Sequence, residues 1–151
     1  MQNPEIALRP AMIFAFAKSL PLILFGLTFL LLAWWLSPYF LFFSIATTGA
    51  AWYRFLYIWN SLYIITPEVI RVSRGIFFKR IDQVEMYRVK DYIVTQPLLL
   101  QLFSLMNVTL KSTDPENPIL WLVGIPQSDL IDTIRDHVQE ARKDNRIYEI
   151  N

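Results

Sequence analysis

Apolar and polar positions divide the chain near residue 60. Residues 19–53 contain no Asp, Glu, Lys, Arg or His. One crossing of a hydrocarbon layer about 30 Å thick needs roughly 20 apolar residues. The uncharged stretch is therefore too long for one crossing and slightly short for two. Ser37-Pro38 lies in its middle, and the residue before a proline is pushed out of the helical region. The pattern predicts a transmembrane helical hairpin over residues 1–60, with helices at about 10–36 and 38–60. Pro10 suits a first helical turn. Pro21 falls inside the first helix, which a membrane helix tolerates when neighbours satisfy the freed carbonyl.

Beyond Asn60, alternation replaces continuous hydrophobicity. Leu62–Thr66 is rich in β-branched and aromatic residues and stops at Pro67, so it reads as a strand. Further strands are expected at Val69–Arg74, from Ile76 through Phe78, at Gln83–Val89, Tyr92–Gln96, Val108–Ser112 and Ile119–Val123. Leu98–Phe103 follows a proline without alternation and predicts a short helical turn packed on the sheet. Asp114-Pro115-Glu116-Asn117-Pro118 is a turn signal. Leu130, Ile131, Ile134, Val138 and Ala141 recur at helical spacing and predict an amphipathic C-terminal helix, with Ser128 as its cap and a fraying tail after Asp144. The expected fold class is α+β: the hairpin over residues 1–60, then a domain over residues 61–151. That domain is a bent antiparallel sheet or half-barrel of about seven short strands, capped by the last helix.

Composition sharpens the first half of this picture. Only 18% of the 151 residues are charged, against about 25% in a typical soluble domain. A soluble chain of this length would have to hide both helices, and too little chain remains to do so. Trp34, Trp35 and Tyr39 cluster at the expected turn, and Trp52, Tyr53, Tyr57 and Trp59 at the far end of helix two. Trp and Tyr gather at the two interfaces of a bilayer. Lys18 can extend its ammonium toward head groups. Small residues at Ala46–Ala51 suit close helix packing, with Gly26 as the facing position. Arg9, Lys18 and Arg54 flank the uncharged stretch, whose turn carries no charge. Positive flanks stay in the cytoplasm. The expectation is a multi-pass inner-membrane protein with both termini cytoplasmic and no cleaved signal.

Chemistry is sparse. There is one His, His137, and no Cys, which argues against a zinc site. Asp82, Glu85 and Asp91 each have Arg80, Arg88 or Lys90 nearby, and charge pairing on strand surfaces accounts for them. Gly75 is isolated, so no phosphate-cradling glycine loop is present. Asn107-Val108-Thr109 fits a glycosylation sequon, but on a cytoplasmic strand it would stay unmodified. A net charge of +1 without a basic, aromatic-rich face does not suit nucleic acid. No catalytic residue, metal ligand or cofactor is expected. Arg71, Arg74, Lys79 and Arg80 flank Gly75 and form the one candidate edge for lipid head groups, where a basic side chain near an anionic leaflet gains roughly 1 kcal/mol.

Several stretches carry a resemblance. Tyr63-Ile64-Ile65-Thr66, Glu68-Val69-Ile70 and Arg74-Gly75-Ile76-Phe77 resemble the opening of bacterial pleckstrin-homology-like domains. The similarity is to the membrane-flanked type, once called a domain of unknown function, in which a helical hairpin precedes the domain. Ile81-Asp82-Gln83-Val84, Asp91-Tyr92-Ile93, the Gln96–Phe103 insert and Asn107-Val108-Thr109-Leu110 continue it in order. Gln101 stands where the family often has Arg, and Ser104-Leu105-Met106 lacks its usual Gly. The resemblance implies a pleckstrin-homology-like fold and no activity, since fold does not fix function. The expected role is a membrane-anchored, non-enzymatic scaffold or interaction module on the cytoplasmic face. It would contact membrane lipids and assemble with itself or with an unidentified membrane protein. The alternatives are an anionic-lipid sensor using the Arg71–Arg80 edge and an accessory subunit of a transport or secretion complex.

Overall fold

The computed structural model describes residues 5–144. A short strand β1 (Ile6–Leu8) precedes two long helices, α1 (Met12–Trp35) and α2 (Phe40–Trp59). Then come β2 (Leu62–Ile65), β3 (Val69–Arg74) and β4 (Arg80–Glu85). A single 3-10 turn (Met86–Arg88) leads into β5 (Val89–Thr95), the short helix α3 (Leu98–Leu102), β6 (Leu105–Ser112), β7 (Ile119–Pro126) and α4 (Leu130–Asp144). The expected fraying tail lies outside the described residues apart from Asp144.

The helices end where the Ser37-Pro38 signal puts them. α1 runs unbroken through Pro21 and closes at Trp35. After a short turn α2 returns antiparallel. The small residues meet in part as expected. Ser44 Oγ donates to the Gly26 carbonyl at 2.9 Å, and a Cβ on Gly26 would stand 2.7 Å from Thr48 Oγ1. Ala51 is buried, while Ala46, Gly49 and Ala50 face outward. Phe29 stacks on Phe40 and meets Phe43 nearer the turn.

All strand pairs are antiparallel. β1-β2-β3-β4 form one sheet and β5-β6-β7 a second. Alternation decides which side chains enter the core between them. Tyr63 and Ile65 of β2, Ile70 and Val72 of β3, and Val84 of β4 point inward. They meet Val108 and Leu110 of β6 and Leu120 and Leu122 of β7. α4 closes this core with Leu130, Ile134 and Val138, three members of its expected apolar stripe.

Four expectations need correction. The sheet takes in Ile6–Leu8, which the division at residue 60 assigns to the hairpin: Ala7 pairs with Ile64 across the α1–α2 insertion. Three residues are too few to show a period. Ile76–Phe78 start no strand. They form the turn after Gly75, whose φ of +116° and closeness to the Phe78 carbonyl exclude a side chain there. The expected strand Gln83–Val89 stops at Glu85, because the 3-10 turn carries the chain from one sheet to the other while keeping Met86 and Val89 in the core. Finally, α3 is not buried as a unit. Leu100 is 7% exposed, but Leu98, Leu99 and Leu102 all face outward.

Candidate membrane-facing site

The exposed apolar surface has a definite arrangement. Among the described residues, α1 is the one helix long and apolar enough to cross a membrane, and only 17% of its most apolar stretch is buried. α2 is interrupted by Ser44, Thr47, Thr48, Gly49 and Arg54 and falls short of the same measure. The aromatic residues expected at the two interfaces are exposed side chains. Trp34, Trp35 and Tyr39 surround the α1–α2 turn, with Trp34 90% exposed. Trp52, Tyr53, Tyr57 and Trp59 line the opposite end of α2, tied by ring contacts of Tyr53 with Tyr57 and of Phe55 with both Trp52 and Trp59. The 20 residues of α2 span about 30 Å at 1.5 Å per residue, and the second group occupies its last two turns.

Two apolar projections flank the domain end of the helices. Sequence reasoning assigned neither a role. β2 begins three residues after α2 ends, and Leu62 pairs with Ser73. The β3–β4 turn therefore lies at the level where the chain leaves α2. At its tip Phe77 is 83% and Phe78 94% exposed. The second projection is α3 with Phe103 just after it; Leu99, Leu100 and Phe103 share a crevice with Ile13, Phe14, Lys18 and Pro21 of α1 and Arg54 of α2. The available signal was loss of alternation: three apolar residues after Gly75 and five within Leu98–Phe103 cannot all point into a core.

The four basic edge residues are not gathered into one pocket. Arg71 Nε donates to Gln83 Oε1 at 3.1 Å across β3 and β4. Arg74 Nη2 reaches the second sheet and donates to the Trp121 carbonyl at 2.7 Å. Arg80 Nε donates to Asp82 Oδ1 at 2.7 Å. Lys79 is exposed beside the Phe77–Phe78 tip. Arg74 and Arg80 pair across the strands and share a cleft of about 380 Å³ with Tyr57 of α2 and with Asp82 and Glu116. These carboxylates make the cleft mixed in charge rather than a basic cradle.

The remaining polar groups hold the domain together. Tyr63 is buried, and its Oη accepts from the Val123 N–H at 3.3 Å, linking the two sheets. Burial pushes its phenol above the ordinary value, while that hydrogen bond and Arg74 pull the other way. Glu85 accepts from Arg88 Nε at 2.8 Å, and hydrogen bonding with Tyr87 and Arg88 holds its carboxyl below the usual range. His137 is half-buried on α4, with Nδ1 enclosed and unpartnered among the described residues. No group of three His, Cys, Asp or Glu among those residues could hold a metal ion.

Two antiparallel sheets on one core, closed by a C-terminal helix and joined to an N-terminal apolar helix, define an α+β domain of the kind the sequence resemblance implied. Residues 11–142 match the family model described as Bacterial PH domain, and the chain belongs to that family. No curated protein and no solved structure matches it.

Proposed function

We propose that this bacterial PH domain is a membrane-anchored, non-enzymatic interaction module, held against the cytoplasmic face by α1 and α2 as a transmembrane hairpin. The observation that carries the proposal is the exposed apolar surface of α1, since only 17% of its most apolar stretch is buried by the rest of the chain. Apolar surface of that extent needs a partner, and a lipid bilayer satisfies it along the whole helix. α2 accompanies α1 through the same layer because their inner faces are already packed through Gly26, Ser44 and Thr48. The two aromatic groups then fall at the two interfaces. The Phe77–Phe78 tip and the outer leucines of α3 reach the near leaflet on either side of the helices, so the domain rests on the membrane. What it recruits there is a second copy or another membrane protein.

The test uses the absence of native cysteine. Ser37→Cys should be labelled by a membrane-impermeant maleimide added outside intact spheroplasts, and the chain should stay in the membrane after alkaline carbonate washing. Labelling only after lysis would overturn the topology. Release by carbonate would overturn the anchor. Mass measurement of the intact assembly in mild detergent reads the partner, and a lone monomer would count against the recruiting role.

A further inference from the structure

The crevice between α1, α2 and α3 has a composition that the fold does not require. It encloses about 400 Å³, large enough for a lipid head group and the first carbons of its chains. Its walls are apolar, formed by Ile13 and Pro21 on one side and by Leu99 and Phe103 on the other, yet it contains two cations, Lys18 and Arg54. Helix register brings these together. Ser44 and Thr48 face Gly26, and Phe43 meets Phe29. Carrying that antiparallel register about two turns toward the domain sets Lys18 level with Arg54. The Lys18 ammonium lies 5.8 Å from the centre of the Phe14 ring, at the crevice wall. Neither cation has a carboxylate partner among the described residues. A cation beside apolar walls is stabilised by an anion, and the described residues supply none.

We propose that this crevice holds one anionic phospholipid of the near leaflet, with its phosphate between Lys18 and Arg54 and its chains running along α1 past Pro21. The inference rests on the anchored orientation proposed above. The site lies between the hairpin and α3, apart from the Arg71–Arg80 edge. Its ligand needs an apolar body as well as an anionic head, because two cations in solvent would not call for the walls that Leu99 and Phe103 provide. Seated there, the lipid would join α3 to the helices and fix the tilt of the domain on the membrane.

Native mass spectrometry of the full chain in mild detergent tests this, with palmitoyl-oleoyl phosphatidylglycerol, the matching phosphatidylcholine, glycerol 3-phosphate and inorganic phosphate as probes. One phosphatidylglycerol per chain should be retained. Lys18→Gln/Arg54→Gln should weaken retention by roughly tenfold or more, given about 1 kcal/mol for each cation at an anionic leaflet. Lys18→Arg/Arg54→Lys should restore it, and the control Lys90→Gln/Lys111→Gln should leave it unchanged. Equal retention by wild type and Lys18→Gln/Arg54→Gln would overturn the proposal. So would equal losses in that variant and the control, or binding of glycerol 3-phosphate or phosphate as tight as that of the lipid. Carbonate washing of the same proteins separates the two levels. A chain that is washed off removes the anchor and the lipid site together, whereas one that stays in the membrane without retaining the lipid overturns the lipid site alone.

Discussion

The ring of Phe14 lies directly against the α-carbon of Gly124. Through this contact the first turn of α1 is seated on β7, and the Ala11 N–H donates to the Gly124 carbonyl at 2.8 Å beside it. Phe14 is buried with Leu100 and Leu105, and Ile58 and Val123 pack around them. The helices are therefore docked on the domain at a small apolar joint separate from the main core.

Gly124 has φ +64° and no room for a Cβ against Phe14. Gly124→Ala should destabilise the chain by about 2 kcal/mol or more, from backbone strain and overpacking together. Thermal unfolding in detergent measures the loss. Adding Phe14→Ala should recover none of the strain and only part of the packing loss, because it also empties the joint.

Ser104 occupies the left-handed region at φ 52°. Its backbone is held there: its N–H donates to Gln101 at 3.1 Å and its carbonyl accepts from Gln127 at 2.9 Å. Ser104→Gly should raise stability by about 0.5–1 kcal/mol, since a left-handed non-glycine residue costs about 1–2 kcal/mol and the more flexible unfolded glycine offsets part of the gain. An unchanged or lowered melting temperature would contradict this.

The helix pair depends on close approach at Gly26. Gly26→Leu should drive α1 from α2 and expose the hairpin to protease in detergent. Ser44→Ala should cost only about 0.6 kcal/mol, the typical value of one interhelical hydrogen bond in a membrane setting. Comparable losses from the two substitutions would mean that the hydrogen bond, and not the approach of the backbones, sets the packing.

Tyr63 gives the domain an alkaline limit. Its folded pKa is raised above the ordinary value of 10.0, chiefly by burial. A raised folded pKa means that this contribution to stability is complete below pH 10 and is lost as pH climbs through the folded value. Denaturant midpoints of the wild type should therefore fall above pH 10. Tyr63→Phe should begin slightly lower, for want of the hydrogen bond with Val123, and should lack the Tyr63 share of the alkaline fall. Parallel curves for the two proteins would refute the assignment.

The extent to which the fold was legible follows the length of each pattern. The uncharged run with Ser37-Pro38 at its centre located both helices to within about two residues, because helix-breaking chemistry at a proline is local. Val69–Arg74 alternates over a full strand and was placed correctly, and the stripe from Leu130 to Val138 marked the face α4 buries. The site was legible only in part. The exposed aromatic residues at the two ends of the helix pair could be read because their positions depend on helix length alone. The basic edge could be located, but not the separate partners taken by Arg71, Arg74 and Arg80.

The amino-acid sequence by itself determined the elements governed by local periodicity and by proline, and it pointed to the family. Tertiary structure alone decided that Ile6–Leu8 completes the first sheet, that Phe77 and Phe78 form an exposed tip, and that Lys18 and Arg54 line one crevice beside α3. Each of these depends on contacts between residues far apart in the chain or on a turn whose geometry is set by its neighbours. A three-residue strand has no period to read. An apolar triplet after a glycine fits a buried strand as well as a projecting turn until the partner strand fixes its register. Two cations about a quarter of the chain apart come to line one crevice only when Gly26 and Ser44 set how the helices slide past one another.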